Sequence, residues 1–111
     1  MTKLIHTMLR VSNLEHSILF YQQALELNLA DTFSFKDFTL VYLRNEESSF
    51  ELELTFNHSQ SEELVHGNLY GHLAVSITDI DLIHKKLTKL NLQPTKIKSL
   101  LWEGKQLAKL F

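Results

Sequence analysis

The 111-residue chain contains no cysteine. That excludes a disulfide framework and thiolate metal sites, and it fits a reducing, cytoplasmic location. There is no basic stripe and the formal net charge is −2, so nucleic acid is not an expected partner. No apolar run reaches the length of a membrane span, and no membrane association is expected. The opening Met1-Thr-Lys-Leu-Ile-His6 has neither a long apolar core nor a small-residue cleavage site, so no signal peptide is read there. No short ligand motif such as HExxH occurs. What is present, 44% hydrophobic and 22% charged residues, is the composition of an ordinary globular chain able to bury one modest core. Six histidines are a high count for this length, and their positions matter more than their number.

Residues 4–11 alternate as a strand, with Ile5, Thr7, Leu9 and Val11 on one face and His6, Met8 and Arg10 on the other. Asn13 has the chemistry of a helix N-cap, and Glu15 sits in the first turn that would follow. Leu14, Ile18, Tyr21 and Leu25 then recur at helical spacing, predicting an amphipathic helix to about residue 26. Strands are expected near 28–34, at 38–44 and, after the polar turn 45–49, at 50–57. In the last, Phe50, Leu52, Leu54 and Phe56 face one way and Glu51, Glu53, Thr55 and Asn57 the other. This βαβββ module, 1–57, is followed by a polar linker at 58–69 that contains Gly67.

A second, incomplete module is expected over 70–111. Residues 70–77 alternate as a strand, with His72 on the Tyr70, Ala74 and Ser76 face. Asp79 is an N-cap candidate, and Ile80, Ile83, Leu87 and Leu90 mark the stripe of a second helix. Strands are expected around 95–98 and 105–111, with a turn near Glu103 and Gly104. A shift of 66 residues, from 6 to 72, lays His6 on His72, Leu9 on Val75, Val11 on Ile77, Asn13 on Asp79 and Leu14 on Ile80. That pattern is the mark of a duplicated module. The same shift carries Glu53 to position 119, past the last residue, so the second module is expected to be short of its final strand.

His6, Glu53 and His72 each lie on the polar side of a separate expected strand, and imidazole and carboxylate donors suit zinc, nickel, cobalt, manganese or ferrous iron. Plainer readings stand beside this one. Either histidine alone could be a hydrogen-bonded core residue, Glu53 beside Glu51 could belong to a solvated strand face, and Arg10 could extend along apolar surface. His16, His58, His66 and His84 read as solvated. The duplication favours the paired histidines as ligands.

Three blocks carry a family resemblance. Leu4-Ile-His-Thr-Met-Leu-Arg-Val11 with Asn13-Leu14 and Ser17-Ile-Leu-Phe-Tyr21, then Glu53-Leu-Thr-Phe-Asn57, then Tyr70-Gly-His-Leu-Ala74, resemble bacterial glyoxalase I, the lactoylglutathione lyases. The resemblance implies an α+β fold of paired βαβββ modules, the vicinal oxygen chelate fold, here with its second module truncated. It also implies a homodimer whose metal sites take two ligands from the first module of one chain and two from the second module of its partner. His6, Glu53 and His72 match the ligand positions, and nickel or cobalt is favoured, with zinc as a further option. The fourth ligand of the family, a glutamate on the final strand, has no counterpart, which implies an impaired chain or one that continues past Phe111. The implied reaction isomerises the methylglyoxal–glutathione hemithioacetal to S-lactoylglutathione. Glu53 is then the matched carboxylate for proton transfer, Arg10 and Asn57 would hold the γ-glutamyl end of glutathione, and Lys96 its glycyl carboxylate. Two other functions share the fold: a metal-free binder of small molecules, such as the antibiotic-sequestering proteins, and a dioxygenase whose iron sits on two histidines and one carboxylate.

Overall fold

The computed structural model describes residues 1–102 and 105–109. It divides into two compact units, Met1–Tyr70 and Gly71–Phe111. Among the described residues no helix is long and apolar enough to cross a membrane.

The first unit is a βαβββ module: β1 (His6–Arg10), α1 (Leu14–Leu25), β2 (Asn28–Ser34), β3 (Phe38–Arg44) and β4 (Glu51–Asn57). The four strands form one sheet in the order β1-β4-β3-β2. The pairing of β1 with β4 is parallel and the other two pairings are antiparallel. A parallel pair needs a long crossover between its strands, and α1 with the β2–β3 hairpin supplies it. Asn13 caps α1 as its chemistry requires: its Oδ1 accepts from the His16 backbone N–H at 3.0 Å. The helix ends at Glu26, which takes a left-handed conformation (φ 55°) and sends its backbone N–H back to Gln22 and Tyr21.

The core lies between α1 and one face of the sheet. Val41, Leu43, Leu52 and Leu54 are buried at its centre, and Leu9, Val11, Leu14, Ile18, Tyr21 and Leu27 pack against them. Leu43 and Leu54 are fully enclosed. Leu9, Val11, Leu52 and Leu54 follow the strand alternation and Leu14, Ile18 and Tyr21 the helical spacing, whereas Ile5 of the same alternation is exposed and Leu27 joins the cluster from beyond the helix. β4 departs from its alternating pattern: lying between β1 and β3, it has Glu53 and Thr55 buried (7% and 8% exposed) along with Leu52 and Leu54.

In the second unit Asp79 caps α2 (Ile80–Lys89), its Oδ1 accepting from the Leu82 N–H at 3.1 Å. Leu87 is the buried residue of the predicted stripe, with Ile80 and Ile83 half-buried and Leu90 exposed. β5 (Lys98–Trp102) and β6 (Lys105–Lys109) form an antiparallel pair. The first of these begins where the strand expected at 95–98 was to end. Glu103 and Gly104, the expected turn, and residues 110 and 111 of the expected last strand lie outside the described residues.

Residues 70–77 correct the sequence reading. They alternate as a strand should, yet they belong to no strand among the described residues, and Gly71–Ile77 are all exposed. A strand is defined by its ladder, and alternation supplies only the faces. In the first unit the equivalent β1 takes its ladder from β4, whereas residues 70–77 pair with no strand among the described residues.

Two outcomes test this packing. Leu54→Ala should cost about 2–5 kcal/mol of stability in denaturant titrations, because a fully enclosed position cannot refill the lost volume. Burial, and secondarily the charge of Tyr70, hold the Tyr21 hydroxyl above its usual pKa of 10.0. The unfolded chain therefore loses that proton first, and stability falls as pH rises above about 10. Tyr21→Phe should flatten that alkaline loss, followed by the absorbance of tyrosinate alongside unfolding.

Candidate functional site

The face of the sheet away from α1 carries the predicted polar residues, and pairing register decides which of them meet. Partners directly across a pair point the same way. His6, Met8 and Arg10 of β1 stand opposite Glu51, Glu53 and Thr55 of β4. Across the other side of β4, Tyr42 stands opposite Glu53 and Phe38 opposite Asn57. Beyond β3, Asp31 faces Tyr42 and Phe33 faces Leu40, after an irregularity between Leu29 and Asp31 resets the register of β2.

Glu53 is the centre of this face. Its Oε2 lies 3.0 Å from His6 Nε2, and its side chain is 10% exposed against 38% for His6. Tyr42 stands directly across the β3–β4 pair from Glu53. Burial first, and then the negative charge of Glu53, hold the Tyr42 hydroxyl above its usual pKa. The phenol ring stands edge-on to His6 at 5.7 Å and edge-on to Phe33 at 6.0 Å. Phe33 and Met8 remain partly open to solvent, with 49% and 37% exposure, so the buried carboxylate sits in an apolar rim. Arg44 pairs with Glu51 at 3.4 Å at the solvent edge, a contact that contributes little beside the buried one.

Of the residues singled out in the sequence, the structure brings His6 and Glu53 together and places Arg10 and Asn57 on the same face, directly opposite Thr55 and Phe38 respectively. Arg10 is exposed and Asn57 half-buried. His72 and Lys96 belong to the second unit, where both are exposed and neither lies in a strand. Among the described residues no three His, Asp or Glu side chains assemble into a ligand cluster. One imidazole nitrogen and one carboxylate oxygen on a buried, apolar-rimmed face still match the donor chemistry of a divalent ion, as half of a coordination set.

Two of the histidines read as solvated also make protein hydrogen bonds, the exposed His58 and the half-buried His84. His58 bonds Thr39 Oγ1 through Nε2 at 2.8 Å and the Lys36 carbonyl through Nδ1 at 3.0 Å, tying the β2–β3 turn to the end of β4. His84 Nε2 bonds the Thr95 carbonyl at 2.9 Å. Tyr42 was missed as a site residue. Its place in an alternating strand was legible, but which residue of β4 it would oppose was not.

A family model described as the glyoxalase, bleomycin resistance protein and dioxygenase superfamily matches residues 3–104. The chain belongs to that superfamily. Among its relatives, the lactoylglutathione lyase of Haemophilus influenzae is 42% identical over 82 residues, covering 70% of this chain and 60% of that enzyme. The lactoylglutathione lyase of Neisseria meningitidis serogroup A is 43% identical over 81 residues, covering 69% and 58%. The chain thus spans about three-fifths of the length of these curated relatives. Among solved structures, the trypanothione-dependent glyoxalase I of Leishmania major superposes with a TM-score of 0.74 at 30% identity, over 94% of this chain and 75% of that one. Glyoxalase I relatives also carry the expectation of a divalent metal.

The His6–Glu53 contact has a direct stability consequence. His6→Ala removes one partner from a buried carboxylate and should cost about 1 kcal/mol in urea titrations, near the low end for such losses because His6 itself is partly open to solvent. Arg10→Ala, at an exposed position, should change stability by less than about 0.5 kcal/mol.

Proposed function

We propose that this superfamily member is a metal-dependent lactoylglutathione lyase, isomerising the hemithioacetal of methylglyoxal and glutathione to S-lactoylglutathione. One observation carries the reading: the buried Glu53 carboxylate meets His6, in a chain whose curated relatives at 42% and 43% identity are named for this activity. The superfamily description alone spans lyases, binding proteins and dioxygenases. The relatives at 42% and 43% identity favour the first.

In this reading His6 and Glu53 hold a divalent ion from the first unit, and His72 joins them from the second unit of a partner copy, making the working form a homodimer. Nickel or cobalt is the favoured ion. A divalent ion held there would polarise the hydroxyl and carbonyl oxygens of the substrate and make the C–H of the hydroxyl-bearing carbon more acidic. Glu53 takes the proton from one carbon and returns it to the neighbouring one, a transfer suited to a carboxylate that solvent barely reaches. Arg10 offers its cation and Asn57 its amide to the γ-glutamyl end of glutathione, and Lys96 its ammonium to the glycyl carboxylate. Met8 and Phe33 keep water from the reacting carbons.

Turnover of methylglyoxal plus glutathione, followed with nickel, cobalt or zinc added, tests the proposal. The expected outcome is metal-dependent activity that falls at least about 100-fold in Glu53→Gln, the usual scale for a lost acid–base group. A chain that binds these metals yet shows no turnover with any of them would refute the lyase reading and leave a binding function on the same fold.

A further inference from the structure

The proposed function assigns Glu53 its work but leaves open what keeps a carboxylate on an interior strand aimed correctly. A carboxylate offers several acceptor positions on two oxygens, and each unfilled one lets it turn. Glu53 is only 7% exposed, so water is a poor donor to it. Its two strand neighbours are the donors at hand, His6 from β1 in contact at 3.0 Å and Tyr42 from β3 directly across the pair. Tyr42 is the better fixed of the two. It lies directly across the antiparallel pair from Glu53, and its ring is wedged edge-on between His6 and Phe33. A phenol has few rotatable bonds, so a ring held on two sides delivers its hydroxyl to one place.

We propose that Tyr42 is the positioning residue of this site: its hydroxyl, donated across the β3–β4 pair, holds the Glu53 carboxylate while its ring edge sets the plane of the His6 imidazole. Tyr42 stands beside both residues of the proposed ligand pair, its ring against His6 and its position directly across from Glu53, and it acts through them without itself being a ligand. This rests on the metal-site reading above. Carboxylates and imidazoles that bind metals are themselves held by hydrogen bonds, and losing such a support typically weakens metal affinity by about 10–100-fold.

The test is a cobalt titration of the full chain, read by the visible absorption of the bound ion and by calorimetry, for wild type, Tyr42→Phe, Glu53→Gln and the double variant. Phenylalanine keeps the ring against His6 and Phe33 and removes only the hydroxyl, and melting of the metal-free chains reports any general loss of structure. We expect Tyr42→Phe to weaken cobalt binding by about 10-fold and to alter the absorption band, with melting little changed. In the Glu53→Gln background the same substitution should change affinity less than about two-fold, because the two residues act as a unit. Wild-type affinity and spectrum in Tyr42→Phe, with binding weakened in Glu53→Gln, would overturn the positioning role and leave the metal site standing. Additive losses in the double variant, or a loss of affinity matched by a loss of melting temperature, would also overturn it. Glu53→Gln binding cobalt as wild type does would remove the metal-site reading, and this inference with it.

Discussion

The parallel register between β1 and β4 is the constraint on which the site depends. It sets His6 opposite Glu51 and Met8 opposite Glu53, so His6 reaches Glu53 along the diagonal, one pairing position away. A slip of one residue would turn His6, Met8 and Arg10 toward α1 and drive Thr7 and Leu9 into solvent. The core forbids that slip, because Leu9 and Val11 pack on the same cluster as Leu52 and Leu54. The apolar face of the sheet thus holds the polar face in register, and the order of the chemistry is inherited from the packing of the hydrocarbon.

β4 bears both duties. As an interior strand it is closed in by β1 and β3, and one of its residues is a carboxylate. Enclosing an ionised group without partners is strongly unfavourable, and the expense is met by neighbours brought in from both sides. His6 contacts it from β1, and Tyr42 stands across from it on β3. The same enclosure that makes Glu53 costly to fold makes it useful, since a carboxylate with little water around it interacts more strongly with any cation or proton placed beside it.

The two units differ in how far local pattern was enough. Capping chemistry held in both: Asn13 and Asp79 each accept a backbone N–H at the start of the helix they were expected to begin. Strand pattern held where a partner existed. Residues 28–34 and 38–44 found each other and formed β2 and β3, whereas residues 70–77, with equally regular alternation, form no ladder among the described residues. Helices close their hydrogen bonds within a short segment, while strands borrow theirs from elsewhere in the chain.

Sequence alone therefore determined the elements of the first unit, the faces on which His6, Arg10, Glu53 and Asn57 lie, the repeat that pairs His6 with His72, and the superfamily. These follow from local periodicity, capping and matched blocks. Tertiary structure decided that β4 is interior, so that Glu53 is buried rather than solvated, that Tyr42 and Phe33 close around it, and that His58 is engaged at the end of the sheet. The physical reason is that strand order and register are long-range: alternation names the face on which a side chain stands, and only the folded sheet names its neighbours.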